Sequence, residues 1–201
     1  MSILIAGLII FLGLHSVRIV ADGWRAEKRA QWGEGAWKGL FSVASIVGFA
    51  LIVWGYGLAR QQPVVLWVPP VATRHIAATL MLLAMILLVA AYVPGNAIKS
   101  KLRHPMTLSV KTWAVAHLLA NGNLADVVLF GAFLAWAVAC FIAARKRDRA
   151  AGTVYAAGKT VPTIITVVIG LIAYGAFVAY LHRLLIGVPV LGEWLIIWVG
   201  N

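Results

Sequence analysis

Residues 112–144 read TWAVAHLLANGNLADVVLFGAFLAWAVACFIAA, two apolar runs separated by Asn121-Gly122-Asn123. An Asn-Gly-Asn cluster breaks a helix, and the apolar residues on either side are too continuous for the exposed faces of a water-soluble fold. The segment therefore predicts a membrane helical hairpin with a tight turn. Similar uncharged runs occupy 1–17, 39–59, 75–98 and 160–182. With about 20 residues needed to cross a bilayer, the natural count is six transmembrane helices in an all-α, polytopic bundle spanning 1–201 as a single domain.

Composition agrees with this. Of 201 residues, 63% are hydrophobic and 11% charged, with a mean hydropathy of +0.95. A soluble chain carries roughly 25% charged residues, so a soluble fold is excluded. The net charge of +11 is divided among short segments between apolar runs, which argues against a nucleic-acid surface, because such a surface gathers its charge on one wet face. The single cysteine, Cys140, lies inside an apolar run. It rules out an intrachain disulfide, a multi-cysteine metal site and a C-x-x-C-H haem attachment.

Lysine and arginine placement gives an orientation. Fourteen of these cations fall in the first, third and fifth connections and only Arg60, Arg74 and Arg183 on the other side. Positive charge is retained in the cytoplasm, so both termini are expected on the outer face. The first run lacks a basic leader and a clear cleavage site, and is taken as helix one. Trp194 and Trp198, in a run too short to cross, suit an interfacial C-terminal helix, and Trp24, Trp32, Trp37 and Trp67 also fit headgroup anchoring.

Ionisable groups inside a bilayer are costly, so they mark the places where chemistry can occur. His15, with Arg18 one turn later, lies in the first helix, and His117, flanked by Trp113 and Asn121, in the fourth. If Arg18 and Lys111 both reach the cytoplasmic headgroups, the two histidines lie about 5 and 9 Å inward and share a level. Two facing imidazoles suit the axial positions of a haem, with nearby cations for its propionates. Alternatively, each makes an interhelical hydrogen bond worth about 0.6 kcal/mol. His75 and His182 sit at helix ends, and His104 precedes Pro105, where it can cap the fourth helix. The six acids fall in turns or loops, leaving no carboxylate pair for acid/base work, and there is no H-E-x-x-H, Walker A or dinucleotide motif.

The chain resembles the NnrU family of bacterial membrane proteins. The likeness is carried by Gly13-Leu14-His15-Ser16-Val17-Arg18, Gly39-Leu40-Phe41-Ser42, Val53-Trp54-Gly55-Tyr56-Gly57 and Tyr92-Val93-Pro94-Gly95-Asn96, and most specifically by Arg103-His104-Pro105-Met106 with Trp113 to Gly122. The resemblance implies a multi-pass protein of the bacterial inner membrane linked to denitrification, that is, to nitrite and nitric oxide reduction. The family also includes the plant 15-cis-zeta-carotene isomerase, which implies b-type haem on His15 and His117; the expected cofactor-binding set is completed by the nearby cations Arg18 and Lys111 and by Arg103 and His104 of the Arg-His-Pro motif. It further implies a hydrophobic polyene as a possible small-molecule substrate. A cysteine three residues before the isomerase's second ligand is replaced here by Ala114. The non-enzymatic alternative is an assembly factor or partner for respiratory nitrogen-oxide reductase subunits. A third likeness, of Arg103-His104-Pro105 to isoprenylcysteine carboxyl methyltransferases, implies methyl transfer, but Arg145 to Lys159 supplies only Asp148 and Tyr155 towards that cofactor cradle.

Overall fold

The computed structural model describes residues 1–190; the interfacial helix expected around Trp194 and Trp198 lies outside the described residues. Among the described residues every named element is a helix. Its helices are α1 (Ser2–Val20), α2 (Asp22–Trp32), α3 (Glu34–Gln61), α4 (Val71–Tyr92), α5 (Ala97–Leu102), α6 (Pro105–Ala120) and α7 (Leu124–Ala150), followed by α8, which runs from Thr160 to Ile186 with a π-helical turn at Phe177–Leu181.

Five of these, α1, α3, α4, α7 and α8, are long and apolar enough to cross a membrane. Their outward faces carry Ile9, Val43, Ile46, Trp54 and Ile172, each more than half exposed, as a lipid-facing surface requires. The sixth expected crossing, α6, has only 16 helical residues. Both of its ends are fixed by local chemistry. His104 precedes Pro105 at the first helical position, where the missing N–H costs nothing, and Asn121 ends the helix in an extended conformation.

The α6–α7 turn is clasped from outside. Gly122 accepts hydrogen bonds from Leu66 N and Trp67 N, and Leu124 N donates to Val64. Gly122 lies so close to the Trp67 carbonyl that no side chain would fit there. At the opposite end of the bundle, Asn96 is 1% exposed and donates to the Ala90 and Val93 carbonyls while accepting from Lys99 N. Asn96 thus ends α4 and begins α5. The start of α8 is tied to the same corner through Lys159 N to Gly95 O and Ala97 N to Thr163 Oγ1.

Helix α7 is the central partition of the bundle. The pair α1–α3 packs on one side of it and α6 on the other, with α4 and then α8 beyond α6. α1 and α3 meet closely because Gly7, Gly48 and Gly55 let the backbones touch: a Cβ on Gly7 would lie 2.6 Å from Ile52 N. The core is built of Leu4, Leu8, Ile52, Ala114, Ala125, Leu129 and Phe130. Among the described residues, α1 and α6 make no direct backbone approach within 8 Å.

Candidate functional site

His15 sits one turn before the end of α1. Its Nδ1 donates to the Phe11 carbonyl at 2.6 Å, which leaves Nε2 to face a ligand. The ring stacks on Phe11 at 4.2 Å, with Phe41 at 5.0 Å and Trp136 at 6.1 Å edge-on. The indole N–H of Trp136 is buried without a hydrogen-bond partner among the described residues, as is the hydroxyl of Ser45, one turn along α3 from Phe41. Unpartnered buried polar atoms are rare and point to a missing partner.

A cleft of about 340 Å³ opens beside His15, with Trp37 and Phe41 in its walls and Arg18, Arg25, Arg29 and Lys38 at its mouth. Asp22 pairs with Arg25 at 3.3 Å, and Glu34 pairs with Arg29 and Lys38 at 3.5 and 2.7 Å. Arg18 has no acid within 4 Å among the described residues.

His117 has the same local bonding. Its Nδ1 donates to the Trp113 carbonyl at 2.9 Å, and its ring stacks on Phe130 at 4.5 Å. The expected shared level is not found. Phe130, which stacks on His117, and Trp136, which meets His15, are six residues apart on α7, so the imidazoles differ in depth by about 9 Å at 1.5 Å per residue. The reason is that the two reference cations do not mark one depth. Lys111 rests over the Phe141 ring at 4.7 Å, whereas Arg18 stands further along, beside Ala144 and Arg147.

Between the two histidines lies an aromatic partition. Phe133 meets Phe11 at 6.0 Å on one side and Trp113 at 5.5 Å on the other. The residues at His15 fit one axial position of a haem. Its Nδ1 is fixed by a carbonyl, its Nε2 is open, an orphaned indole N–H stands alongside, and cations await the carboxylates. The cleft has room for the propionate edge of a porphyrin rather than the whole ring. With Phe133 and Trp113 as placed, His15 and His117 do not fit the two faces of one porphyrin.

Of the other expected residues, Arg103 and His104 gather elsewhere. His104 Nε2 donates to Asp148 at 2.8 Å, Tyr155 OH donates to the same carboxylate oxygen at 2.8 Å, and Arg103 lies over the Tyr155 ring at 5.5 Å. Burial and the neighbouring Asp148 carboxylate push the Tyr155 phenol up, so it remains a donor at neutral pH. Arg103 has φ +71° and ψ −54°, and His104 N donates back to Leu102 O. This is a tight γ-turn of the rare, strained sort. Arg18, His104, Arg147, Asp148 and Thr153 surround a second cleft of about 370 Å³. Lys111 lines neither cleft.

Of the acids expected in turns or loops, five lie within helices: Asp22 and Glu27 in α2, Glu34 at the first position of α3, and Asp126 and Asp148 in α7. Asp148 is in its last turn, and Asp126, 3% exposed, in its first, where it accepts from Tyr56 OH at 2.5 Å and from Asn123. Sequence reasoning missed Asp126, Trp136 and Ser45, and named Asp148 only through the methyltransferase likeness. Only Asn123 and Asp126, spaced as a capping box, left a readable signal. His75 and His182 remain at helix ends, His182 donating through Nδ1 to Val188 O.

No curated protein and no solved structure matches this chain. The family model described as NnrU protein matches residues 3–190, through all the elements just described, and the chain belongs to the NnrU family.

Proposed function

We propose that this multi-pass membrane protein binds b-type haem through His15, with only the propionate edge of the ring in the adjoining cleft, the cation-rich end of the bundle in the bacterial cytoplasm and α6 serving as a sixth crossing. The observation that carries the proposal is the set of polar groups left without partners at His15: an open Nε2 beside a cleft rimmed by cations, and the orphaned N–H of Trp136, whose ring meets the imidazole edge-on at 6.1 Å. A bound haem would supply redox chemistry and an iron centre able to take small ligands. The protein residues supply the rest. Phe11 O fixes the imidazole tautomer, Trp37 and Phe41 exclude water, and Arg18, with no acid within 4 Å among the described residues, offers a cation to a carboxylate. The role in nitrite and nitric oxide reduction, or in isomerising a hydrophobic polyene, that the family resemblance implies would then be a haem-dependent one.

The stacking of His117 on Phe130 favours a second reading for that residue, as packing. Extended to both histidines, this gives a non-enzymatic membrane partner for respiratory nitrogen-oxide reductases.

The test is the absorption spectrum of detergent-solubilised protein from haem-supplied cells. We expect a Soret band that His15→Ala abolishes and His117→Ala leaves at more than half its height. Loss in both variants would restore His117 as the opposite ligand and require Phe133 and Trp113 to part. A colourless protein, or a band that survives His15→Ala, would overturn the proposal. A colourless chain that co-purifies with a reductase subunit would establish the second reading.

A further inference from the structure

The cleft between the end of α1, the start of α6 and the end of α7 has no role in the haem proposal, although it shares Arg18 with the His15 cleft. It is an open cleft lined by Arg18, His104, Arg147, Asp148 and Thr153, with a volume of about 370 Å³. Among the described residues, neither Arg18 nor Arg147 has a carboxylate within 4 Å. The acid in the wall, Asp148, already accepts from both His104 and Tyr155 through the same oxygen. Two unpaired guanidiniums therefore outweigh one carboxylate that is itself held by two donors. Guanidinium groups bind phosphate oxygens through paired N–H donors, which suits them to a dianionic tetrahedral group.

We infer that this cleft binds a phosphate monoester, with Arg18 and Arg147 as its cationic clamp, the Thr153 hydroxyl as a further donor and Asp148 holding His104 in place. A phosphate monoester reaches such a site either as the headgroup of an anionic lipid or as a free anion from the water. The position of the cleft at the charged end of the bundle serves both.

The test uses the full chain in phosphatidylcholine nanodiscs, with dioctanoyl phosphatidic acid and inorganic phosphate as probes in equilibrium titrations. Saturable binding of phosphatidic acid is expected, weakened at least tenfold by Arg18→Gln and by Arg147→Gln. Arg147→Lys should keep most of the affinity, and Arg149→Gln, which makes the same charge change just outside the cleft, should stay within twofold of the parent chain. Competition by inorganic phosphate would identify a free anion as the source, and saturable lipid binding without competition would identify a headgroup. Absence of binding to both probes, or an equal loss in Arg149→Gln, would overturn the inference. Arg147 does not line the His15 cleft, so the Soret band of Arg147→Gln separates this outcome from failure of the haem proposal.

Discussion

His104 Nε2 stands 2.8 Å from the Asp148 carboxylate, joining the first residue before α6 to the last turn of α7 across 44 positions. Tyr155 completes the joint by donating to the same oxygen. Because one acceptor serves two donors, their contributions are coupled. Residues that share a hydrogen-bond network depart from additivity.

Asp148→Ala is expected to lower the thermal midpoint of the detergent-solubilised protein, and Tyr155→Phe to lower it less. The double variant should lose no more than Asp148→Ala alone, since the phenol has then already lost its acceptor. Additive losses would show that the Tyr155 hydroxyl stabilises the loop through a partner other than Asp148.

Asn96 is the second such joint. It is 1% exposed and its side chain makes three hydrogen bonds that end α4 and begin α5. Asn96→Ala removes an N-cap and strands two carbonyls, a loss of about 2 kcal/mol. Asn96→Asp should be destabilised as well, because a carboxylate can cap Lys99 N but cannot donate to Ala90 and Val93. Thermal unfolding of both variants against the parent chain measures this, and an unchanged midpoint in Asn96→Ala would refute the assignment.

Much of the architecture is legible from particular residues. Pro105 and the Asn121-Gly122-Asn123 turn bracket α6, and the uncharged runs locate α1, α3, α4, α7 and α8 with ends off by up to six positions. The depth of the histidines is not legible, because counting residues from a cation assumes that every long side chain ends at one plane. Lys111 and Arg18 break that assumption, one lying on Phe141 and the other beyond Ala144. Nor does sequence say that α7 stands between α1 and α6, so Phe130 and Phe133 read as generic apolar positions when they are the partition between His15 and His117. The methyltransferase likeness sets Asp148 and Tyr155 against Arg103-His104-Pro105, but only the packing of α6 on α7 turns that association into a hydrogen bond between His104 and Asp148.

Two glycines on α1 separate packing from helix propensity. Gly7 faces the α3 backbone, where a Cβ would meet Ile52 N at 2.6 Å, whereas a Cβ on Gly13 would meet nothing within 4 Å. Gly7→Ala must push α1 off α3 and is expected to be destabilising by 1–3 kcal/mol, about the cost of overpacking. Gly13→Ala should instead stabilise the helix by about 0.5–1 kcal/mol. Unfolding of the two variants in matched detergent checks the contrast, and a loss in Gly13→Ala equal to that in Gly7→Ala would mean that helix–helix contact is not what sets the difference.

Arg103 gives a test of stored strain. Among the described residues it is the one non-glycine with positive φ, held in a turn closed by His104 N to Leu102 O. Such a conformation costs about 1–3 kcal/mol in a residue with a Cβ and little in glycine. Arg103→Ala loses the contact with Tyr155 and keeps the strain, while Arg103→Gly loses the same contact and releases it. Arg103→Gly should therefore unfold at the higher temperature of the two, by about 1 kcal/mol of stability after its larger unfolded-state entropy is subtracted. Equal midpoints would mean that the turn relaxes freely, and that His104 is aimed at Asp148 by the hydrogen bond alone and not by the backbone before it.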